Sequence, residues 1–353
     1  MSFRRGGPRR WLILGVGLSI SGLALYFLLS RVDGTQLVSA LRSANPWILS
    51  VCLLTKGSVL ALNAARTRIL LLPLRRYSFV DCFIPWLSGY VTDNLLPFRL
   101  GELVRIDLLA RAGEVSRSST IAVVGLDRLI DLMSMLLLFA VAAPLLTFDL
   151  ARADRLAIVT FIIVAGLALA LWLATHPSAI SRGTATLVRP LAPAIQQWLV
   201  EKAQRFSEGL GALRSRSMIA SVIGITLVAR LVGMLTIQCW LWAFDLSLPV
   251  YAPLVVLLFI SIGTMIPSSP GFIGTFHLAC AYSLELMGVE PGMAASVAIV
   301  GHFMATVPWT VGGLFVCLPG IRRVWQHPDT PLRRVEQAVG RNASSTRSPQ
   351  RLS

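Results

Sequence analysis

Long apolar segments separated by short polar ones run through most of the 353-residue chain. Several of them approach or exceed the ~20 apolar residues that an α-helix needs to cross a bilayer. The chain is therefore predicted to be an all-α, polytopic membrane protein. Single spans are predicted at about 11–30, 46–65, 119–148, 156–175, 218–244 and 293–318.

Two further apolar segments, 78–96 and 248–265, run into helix-breaking residues. Broken backbone at membrane depth is tolerated only inside protein or along a watery cavity. We predict a re-entrant hairpin at each break, one from each face of the membrane. Full crossing by every arm is the alternative, so the total is six to eight membrane segments. The breaking residues are Pro97 and Gly101 in the first segment, and Pro267, Pro270, Gly271 and Gly274 in the second.

The position of the breaks adds a functional expectation. A pair of Pro- or Gly-interrupted apolar segments, one in each half of a chain, is the best sequence indication of a transporter's binding site. Such sites occur in folds built from inverted repeats. Whether the two halves of this chain are inverted is left open by the sequence.

Composition and charge agree with a membrane protein. The chain is 55% hydrophobic and only 14% charged, and its net charge of +15 comes from basic residues at the ends of the apolar segments. Four segments predicted to be cytoplasmic carry 21 Lys and Arg, against four in the outer loops. The positive-inside rule therefore predicts cytoplasmic termini in a cell inner (plasma) membrane, and this placement disfavours a nucleic-acid partner.

The domain organisation follows from the same pattern. Residues 1–10 form a basic cytoplasmic N-terminus, 11–320 a membrane domain, and 321–353 a basic tail predicted to be disordered. Within the membrane domain, 176–217 is predicted to be an amphipathic helix on the inner leaflet, with a plain linker as the alternative. The segment around Arg66 and Arg75 is predicted to be a cytoplasmic loop.

No metal site, disulfide framework or cofactor is expected. The five Cys lie within apolar segments without paired spacing, and no nucleotide-binding loop occurs. Direct use of ATP is therefore not expected.

Charged residues inside apolar segments are the candidate binding groups, because each costs roughly 2.5–3.5 kcal/mol at the bilayer centre. Glu102 and Arg105 share a helix face, as do Asp127 and Asp131. We predict one nearly neutral network that opens to accept an anionic headgroup, with a phosphate site at the helix start after Pro97. The alternative is that the charges only hold the hairpin against the next span. The network comprises Arg99, Glu102, Arg105, Asp127, Arg128 and Asp131.

Four further polar residues interrupt apolar segments. Lys56 is predicted to face the interior of the bundle, and Arg230 to face either a cavity or a structural partner. His277 and His302 lie on neighbouring segments near the second break. A proton-linked role and simple interior hydrogen bonding both remain open for this pair.

Three sequence stretches carry a resemblance to a known family: NLLPFRLGELVRIDLL, GLDRLIDL and IPSSPGFIGTFH. In this order they resemble the membrane region of lysylphosphatidylglycerol synthases and the flippase-like proteins built on that region, over about residues 11–320. Asp127 stands where Glu is common in the family. His277 and His302 stand where many relatives have Glu and Arg. No segment resembles the aminoacyl-transferase domain of the full synthases, so lysyl transfer is not expected.

The resemblance implies translocation of a membrane lipid, either an anionic, phosphate-bearing phospholipid or a lipid-linked headgroup. A membrane-embedded glycosyl- or acyltransferase, or an accessory subunit of a cell-envelope enzyme, is the alternative. The outer loops are short and hold only scattered acids, which disfavours the transferase. A homo-oligomer and an envelope-enzyme partner both remain open.

Overall fold

The computed structural model describes residues 44–96, 100–142, 215–265 and 269–326, with a few isolated residues between 19 and 42. Apart from those isolated residues, the predicted span at 11–30 lies outside the described residues. So do the predicted span at 156–175, residues 1–10 and 327–353, and most of the connection at 176–217. Residues 321–326, the start of the predicted C-terminal tail, are helical. The described residues form helices and no strand. The helices are α1 (Pro46–Leu71), α2 (Phe79–Leu95), α3 (Gly101–Gly113), α4 (Arg117–Ala142), α5 (Arg216–Ala243), α6 (Ala252–Met265), a 3-10 helix (Pro270–Phe272), α7 (Thr275–Glu285) and α8 (Pro291–Gln326).

Three of these helices are long and apolar enough to cross a membrane: α1, α5 and residues 291–317 of α8. The chain is therefore an all-α, multi-pass membrane protein. Helix α1 is longer than predicted, since it continues past residue 65 to Leu71. Arg66 and Arg68 consequently lie in this helix, and their predicted position in a loop was wrong.

Local sequence signals fix where several helices begin. The Asn45 side chain accepts hydrogen bonds from two backbone N–H groups at the start of α1, where Pro46 occupies the first helical position. Ser78 and Asp81 form a reciprocal capping box at the start of α2. Glu290 accepts two backbone N–H groups in the first turn of α8.

The two broken segments form pairs of short helices. Helices α2 and α3 pack antiparallel, with Gly89 against Gly101 at one end and Tyr77, just before α2, donating to the Leu109 carbonyl at the other, 3.0 Å away. Burial raises the pKa of the Tyr77 hydroxyl to about 12, so it stays a donor at physiological pH. Helices α6 and α7 pack in the same way through Gly263, where an added Cβ would lie 2.7 Å from the Ala279 Cβ. At 1.5 Å per residue, these four helices are about 17 to 26 Å long, less than the ~30 Å hydrocarbon core.

The two halves repeat one order of elements: a long helix, a broken pair and another long helix. Helices α1 and α5 pack side by side in the centre. The Asn45 N–H donates to the Ala243 carbonyl at 2.9 Å, and Arg66 Nη1 donates to Thr226 Oγ1 at 3.3 Å. The start of α1 therefore meets the end of α5. The leading helices run in opposite directions, as an inverted repeat requires.

The halves also exchange contacts at the breaks. Tyr90 of α2 donates to the Ala305 carbonyl of α8 at 2.9 Å, and Asn94 Nδ2 donates to Thr310 Oγ1 at the same distance. A Cβ on Gly271 would lie 3.5 Å from the Asn94 carbonyl oxygen. The second break therefore lies beside the end of α2, and the two broken segments meet inside the bundle.

Candidate functional site

Asp127 lies at the centre of a group of charged side chains and is fully buried. Its Oδ1 accepts a hydrogen bond from Arg66 Nε at 2.7 Å, and its Oδ2 accepts a short one from Arg105 Nη2. Both guanidinium groups are also almost completely buried. One carboxylate therefore holds two buried cations from α1 and α3 against α4.

Asp131, one helical turn further along α4, is shared by three cations. Its Oδ1 accepts from Arg66 Nη2 at 2.9 Å and from Arg230 Nη2 at 3.0 Å. Its Oδ2 accepts from Arg128 Nη1 at 3.2 Å. This side chain links α1 and α5 to α4, so the contact joins the two halves of the fold.

Glu102 and Trp86 complete the group on its exposed side. Arg128 Nη2 makes a short hydrogen bond to Glu102 Oε1. The Arg105 and Arg128 guanidinium carbons lie 4.7 and 5.7 Å from the centre of the Trp86 ring. Such cation–π contacts hold a guanidinium in place without using its N–H groups. We call the whole group the charge cluster: Arg66, Glu102, Arg105, Asp127, Arg128, Asp131 and Arg230.

The charge cluster contains four guanidinium groups and three carboxylates, an excess of one positive charge. Six of its members belong to the predicted set of site residues, and the structure brings all six together. Arg230 has both of its predicted features, since it pairs with Asp131 and lines a cavity. Arg99, Pro97 and Pro267 lie outside the described residues.

A cavity of about 330 Å³ opens beside the charge cluster, between the two broken segments. We call it the polar chamber. Its size falls within the range of ~300–1,000 Å³ that ligand sites occupy. The first half lines it with Lys56, Asn63, Asp93, Glu102, Arg105, Arg128 and Asp131, and the second half with Arg230, Thr264, Phe272, Phe276 and His302, among others.

Arg105 has unused hydrogen-bonding capacity in the wall of this chamber. Its Nη2 donates to Asp127 and to Thr67 Oγ1, but its Nε and Nη1 make no hydrogen bond to any described residue although they are buried. Nη1 lies 3.9 Å from Glu102 Oε2, too far for a hydrogen bond. A buried donor without an acceptor is unfavourable by about 1–3 kcal/mol. These atoms therefore favour the binding of an external acceptor.

The start of α3 differs from the expected phosphate site. The Gly101 N–H donates to Asp93 Oδ1 at 2.8 Å, so a carboxylate of the protein itself occupies this helix N-terminus. Cations line the polar chamber instead, among them Lys56, Arg128 and Arg230. Asp93 also fixes the position of α3 relative to α2.

Gly101→Ala is expected to disrupt the α2–α3 hairpin. A Cβ at this position would lie 2.0 Å from the Gly89 carbonyl oxygen and 2.6 Å from Asp93 Oδ1, so backbone would have to move. We expect a loss of stability of about 1–3 kcal/mol, the usual range for overpacking, measured by thermal unfolding in detergent. Gly125→Ala is the matched control, because its Cβ would meet no atom within 4 Å. Equal melting temperatures for the two variants would contradict the close approach.

The two His form a hydrogen-bonded pair beside the second break. The Gly274 N–H donates to His277 Nδ1 at 3.2 Å, so the proton of neutral His277 is on Nε2. His277 Nε2 lies 3.2 Å from His302 Nδ1, which therefore accepts. The Phe276 ring stacks on His302 with 4.4 Å between centroids. His302 lines the polar chamber, whereas His277 lies behind it.

Removing either His is expected to leave a buried polar group of the other without its partner. We expect His277→Leu and His302→Leu each to lower the free energy of unfolding by about 1–3 kcal/mol. The double variant should lose less than the sum, with a coupling of about 0.5–3 kcal/mol. Denaturant titration in detergent measures all four proteins. Strict additivity would show that the hydrogen bond between the rings contributes nothing.

Sequence reasoning missed Arg66, although a signal for it exists. Lys56, Asn63 and Arg66 recur at spacings of seven and three, which places them on one face of a helix. The structure confirms the interior position of Lys56, whose ammonium lies 5.2 Å from the centre of the Tyr90 ring. Extending the predicted span at 46–65 by a single turn would have included Arg66 on the same face.

Comparisons with known proteins agree with this architecture. The family model described as the lysylphosphatidylglycerol synthase TM region matches residues 12–313. The comparison with curated proteins gives no match. The match covers both broken segments and the entire charge cluster, so the chain belongs to the family of the lysylphosphatidylglycerol synthase TM region.

Proposed function

We propose that the protein moves an anionic, phosphate-bearing lipid between the leaflets of the plasma membrane. The observation that carries this proposal is the polar chamber, whose wall includes Arg105, a residue with two buried nitrogen donors that no described residue accepts. Guanidinium groups match the geometry of phosphate oxygens and form strong charge-assisted hydrogen bonds with them. The excess positive charge of the cluster favours an anion over a neutral or cationic ligand.

A lipid is the favoured ligand because the cationic groups are enclosed by apolar helices. Residues on the outer faces of α5 and α8, such as Leu231 and Phe315, are exposed and apolar, as a hydrocarbon environment requires. Membership in a family named for the membrane region of a lipid synthase supports the same class of ligand. Charged groups at this depth are otherwise rare in membrane proteins and mark substrate pathways.

The proposal includes two re-entrant hairpins, with both termini in the cytoplasm. Each arm is shorter than the hydrocarbon core, and the arms meet tip to tip between the halves. In a variant without native cysteines, Leu95→Cys should react with a membrane-impermeant maleimide only from the cytoplasmic side, and Ile273→Cys only from the outer side. Both positions are partly exposed. If the arms crossed the membrane fully, Leu95→Cys would react only from the outer side and Ile273→Cys only from the cytoplasmic side.

Lipid movement can be tested directly with purified protein in liposomes. The liposomes are made from the total lipid extract of the native membrane, with amine- or phosphate-labelled headgroups introduced on one leaflet. Protein-containing liposomes should make the labelled lipid accessible to an external quencher at a faster rate than protein-free liposomes. An unchanged rate for every headgroup class in the extract would contradict the proposed function and favour a role as an accessory subunit.

A further inference from the structure

A second, smaller cavity of about 200 Å³ adjoins the polar chamber. We call it the apolar annex. It lies between α1, α5 and α6, and its walls are mainly hydrocarbon. Among the described residues that line it there is no carboxylate, in contrast to the polar chamber. Six of the described residues line the annex but not the polar chamber: Ala229, Gly233, Thr236, Ile237, Trp240 and Leu257.

The annex and the polar chamber share a boundary. Lys56 and Arg230 line both cavities, together with Ile260, Phe276 and other apolar residues. These two side chains are the charged groups of the annex among the described residues. Their heads therefore mark the place where a polar space meets an apolar one. An amphiphilic molecule has the same division between its headgroup and its chain.

An apolar cavity inside a membrane protein favours hydrocarbon over water. Water needs two to four polar partners. Lys56 and Arg230 lie at the boundary with the polar chamber. The Thr236 hydroxyl already bonds to Thr55 Oγ1 and the Val232 carbonyl, which leaves the Trp240 side chain as the polar group of the remaining wall among the described residues. An engineered apolar cavity of ~150 Å³ in another protein stays dry and binds benzene. The annex exceeds that volume, so it is large enough for a segment of an alkyl chain. Left empty, its lining would lose dispersion contacts on one side.

We propose that the apolar annex holds the first part of the hydrocarbon chain of the transported lipid. The chain then leaves the annex at the boundary marked by Lys56 and Arg230, and the lipid phosphate lies in the polar chamber, on the side of Arg105. This inference rests on the proposed function and adds to it the site where the lipid's hydrocarbon chain binds. The ligand is a lipid whose phosphate lies between a polar headgroup and an apolar chain, and both parts are inside the protein during binding.

Two glycines of α5 provide a matched pair of variants. A Cβ added at Gly233 or at Gly224 would meet no atom within 4 Å, so neither substitution creates a direct clash there. Gly233 lines the annex, whereas Gly224 lines neither cavity and is exposed on the surface of the same helix. Gly233→Leu should therefore fill the annex, and Gly224→Leu should add the same side chain outside it.

The test uses chain-labelled lipids, so the identity of the headgroup need not be known. Cells that produce the protein are supplied with a fatty acid carrying a diazirine near its carboxyl end, which enters all their phospholipids. After irradiation, mass spectrometry maps the cross-linked residues. We expect cross-links at Ile237 and Leu257 in the annex, in addition to outer positions such as Leu231. Gly233→Leu should remove the annex cross-links and keep those at Leu231, and Gly224→Leu should keep both.

The outcomes separate this inference from the proposed function. Wild-type cross-links confined to outer positions, in a protein that still moves lipid in liposomes, would overturn the annex as a chain site. The positions of the cross-links in the wild-type protein decide this point even if Gly233→Leu does not fold. Annex cross-links in a protein that moves no headgroup would support the annex as a binding site for a lipid chain and contradict transport. Annex cross-links that persist in a folded Gly233→Leu protein would contradict the assigned position.

Discussion

Asp127→Asn is expected to lower the free energy of unfolding by about 3–5 kcal/mol, because it leaves buried cations without their counter-ion. Asp127 is fully buried and accepts hydrogen bonds from both Arg66 and Arg105. Asparagine keeps the size of the side chain but removes its charge, so the excess positive charge of the cluster rises from one to two. Denaturant titration of the purified protein in detergent measures the loss.

A matched control for Asp127→Asn is available on the surface. Glu114 also forms an ion pair, with Arg75 at 3.0 Å, but its side chain is 81% exposed. Exposed pairs contribute about 0–1 kcal/mol, so Glu114→Gln should change stability little. A second variant, Asp127→Asn with Arg66→Gln, removes one cation as well and should recover part of the loss. Equal losses for Asp127→Asn and Glu114→Gln would show that the cluster is hydrated.

Arg105→Lys is expected to reduce lipid movement by about thirtyfold or more while the protein still folds. Removing one partner of a buried charge-assisted contact loses about 2–5 kcal/mol, and 1.4 kcal/mol corresponds to a factor of ten. Lysine keeps the positive charge that Asp127 requires. Its single ammonium cannot contact Asp127 and also present donors to the polar chamber, as the guanidinium does. The initial rate of headgroup exposure in liposomes, at equal amounts of reconstituted protein, measures the effect.

Arg75→Lys is the control that separates the effect of Arg105's position from the effect of replacing a guanidinium by an ammonium. Arg75 undergoes the same chemical change, but it lies in an exposed segment after α1 and pairs with Glu114. We expect its liposome rate to equal that of the wild type. A wild-type rate for Arg105→Lys as well would limit Arg105 to holding α3 against α4. The binding role would then pass to the other cations of the polar chamber.

Much of this arrangement could be predicted from the chain itself. Pro and Gly inside apolar segments located both breaks, because few other residues interrupt a membrane helix. Charged residues within apolar segments, broken or not, identified most of the charge cluster, since a charge in such a segment needs a partner. Helical spacing also placed Asp127 and Asp131 on one face, and in the structure both pair with Arg66.

The remaining contacts depend on packing between distant segments. Arg230 pairs with a residue 99 positions away, and Tyr90 bonds to one 215 positions away. Local spacing carries no information about such pairs. Arg66 was assigned to a loop because basic residues usually mark the ends of spans. The neutralising carboxylates come from α4, which the sequence did not connect with α1.

Asp131 affects how tightly the polar chamber would hold the proposed anionic lipid. It already accepts hydrogen bonds from Arg66, Arg128 and Arg230. An incoming phosphate that bonds to Arg128 or Arg230 competes with this carboxylate for the same donors. The Asp131 carboxylate would therefore lower the affinity for phosphate below what the cations alone would give. For a carrier this is favourable, because its cargo has to leave as readily as it enters.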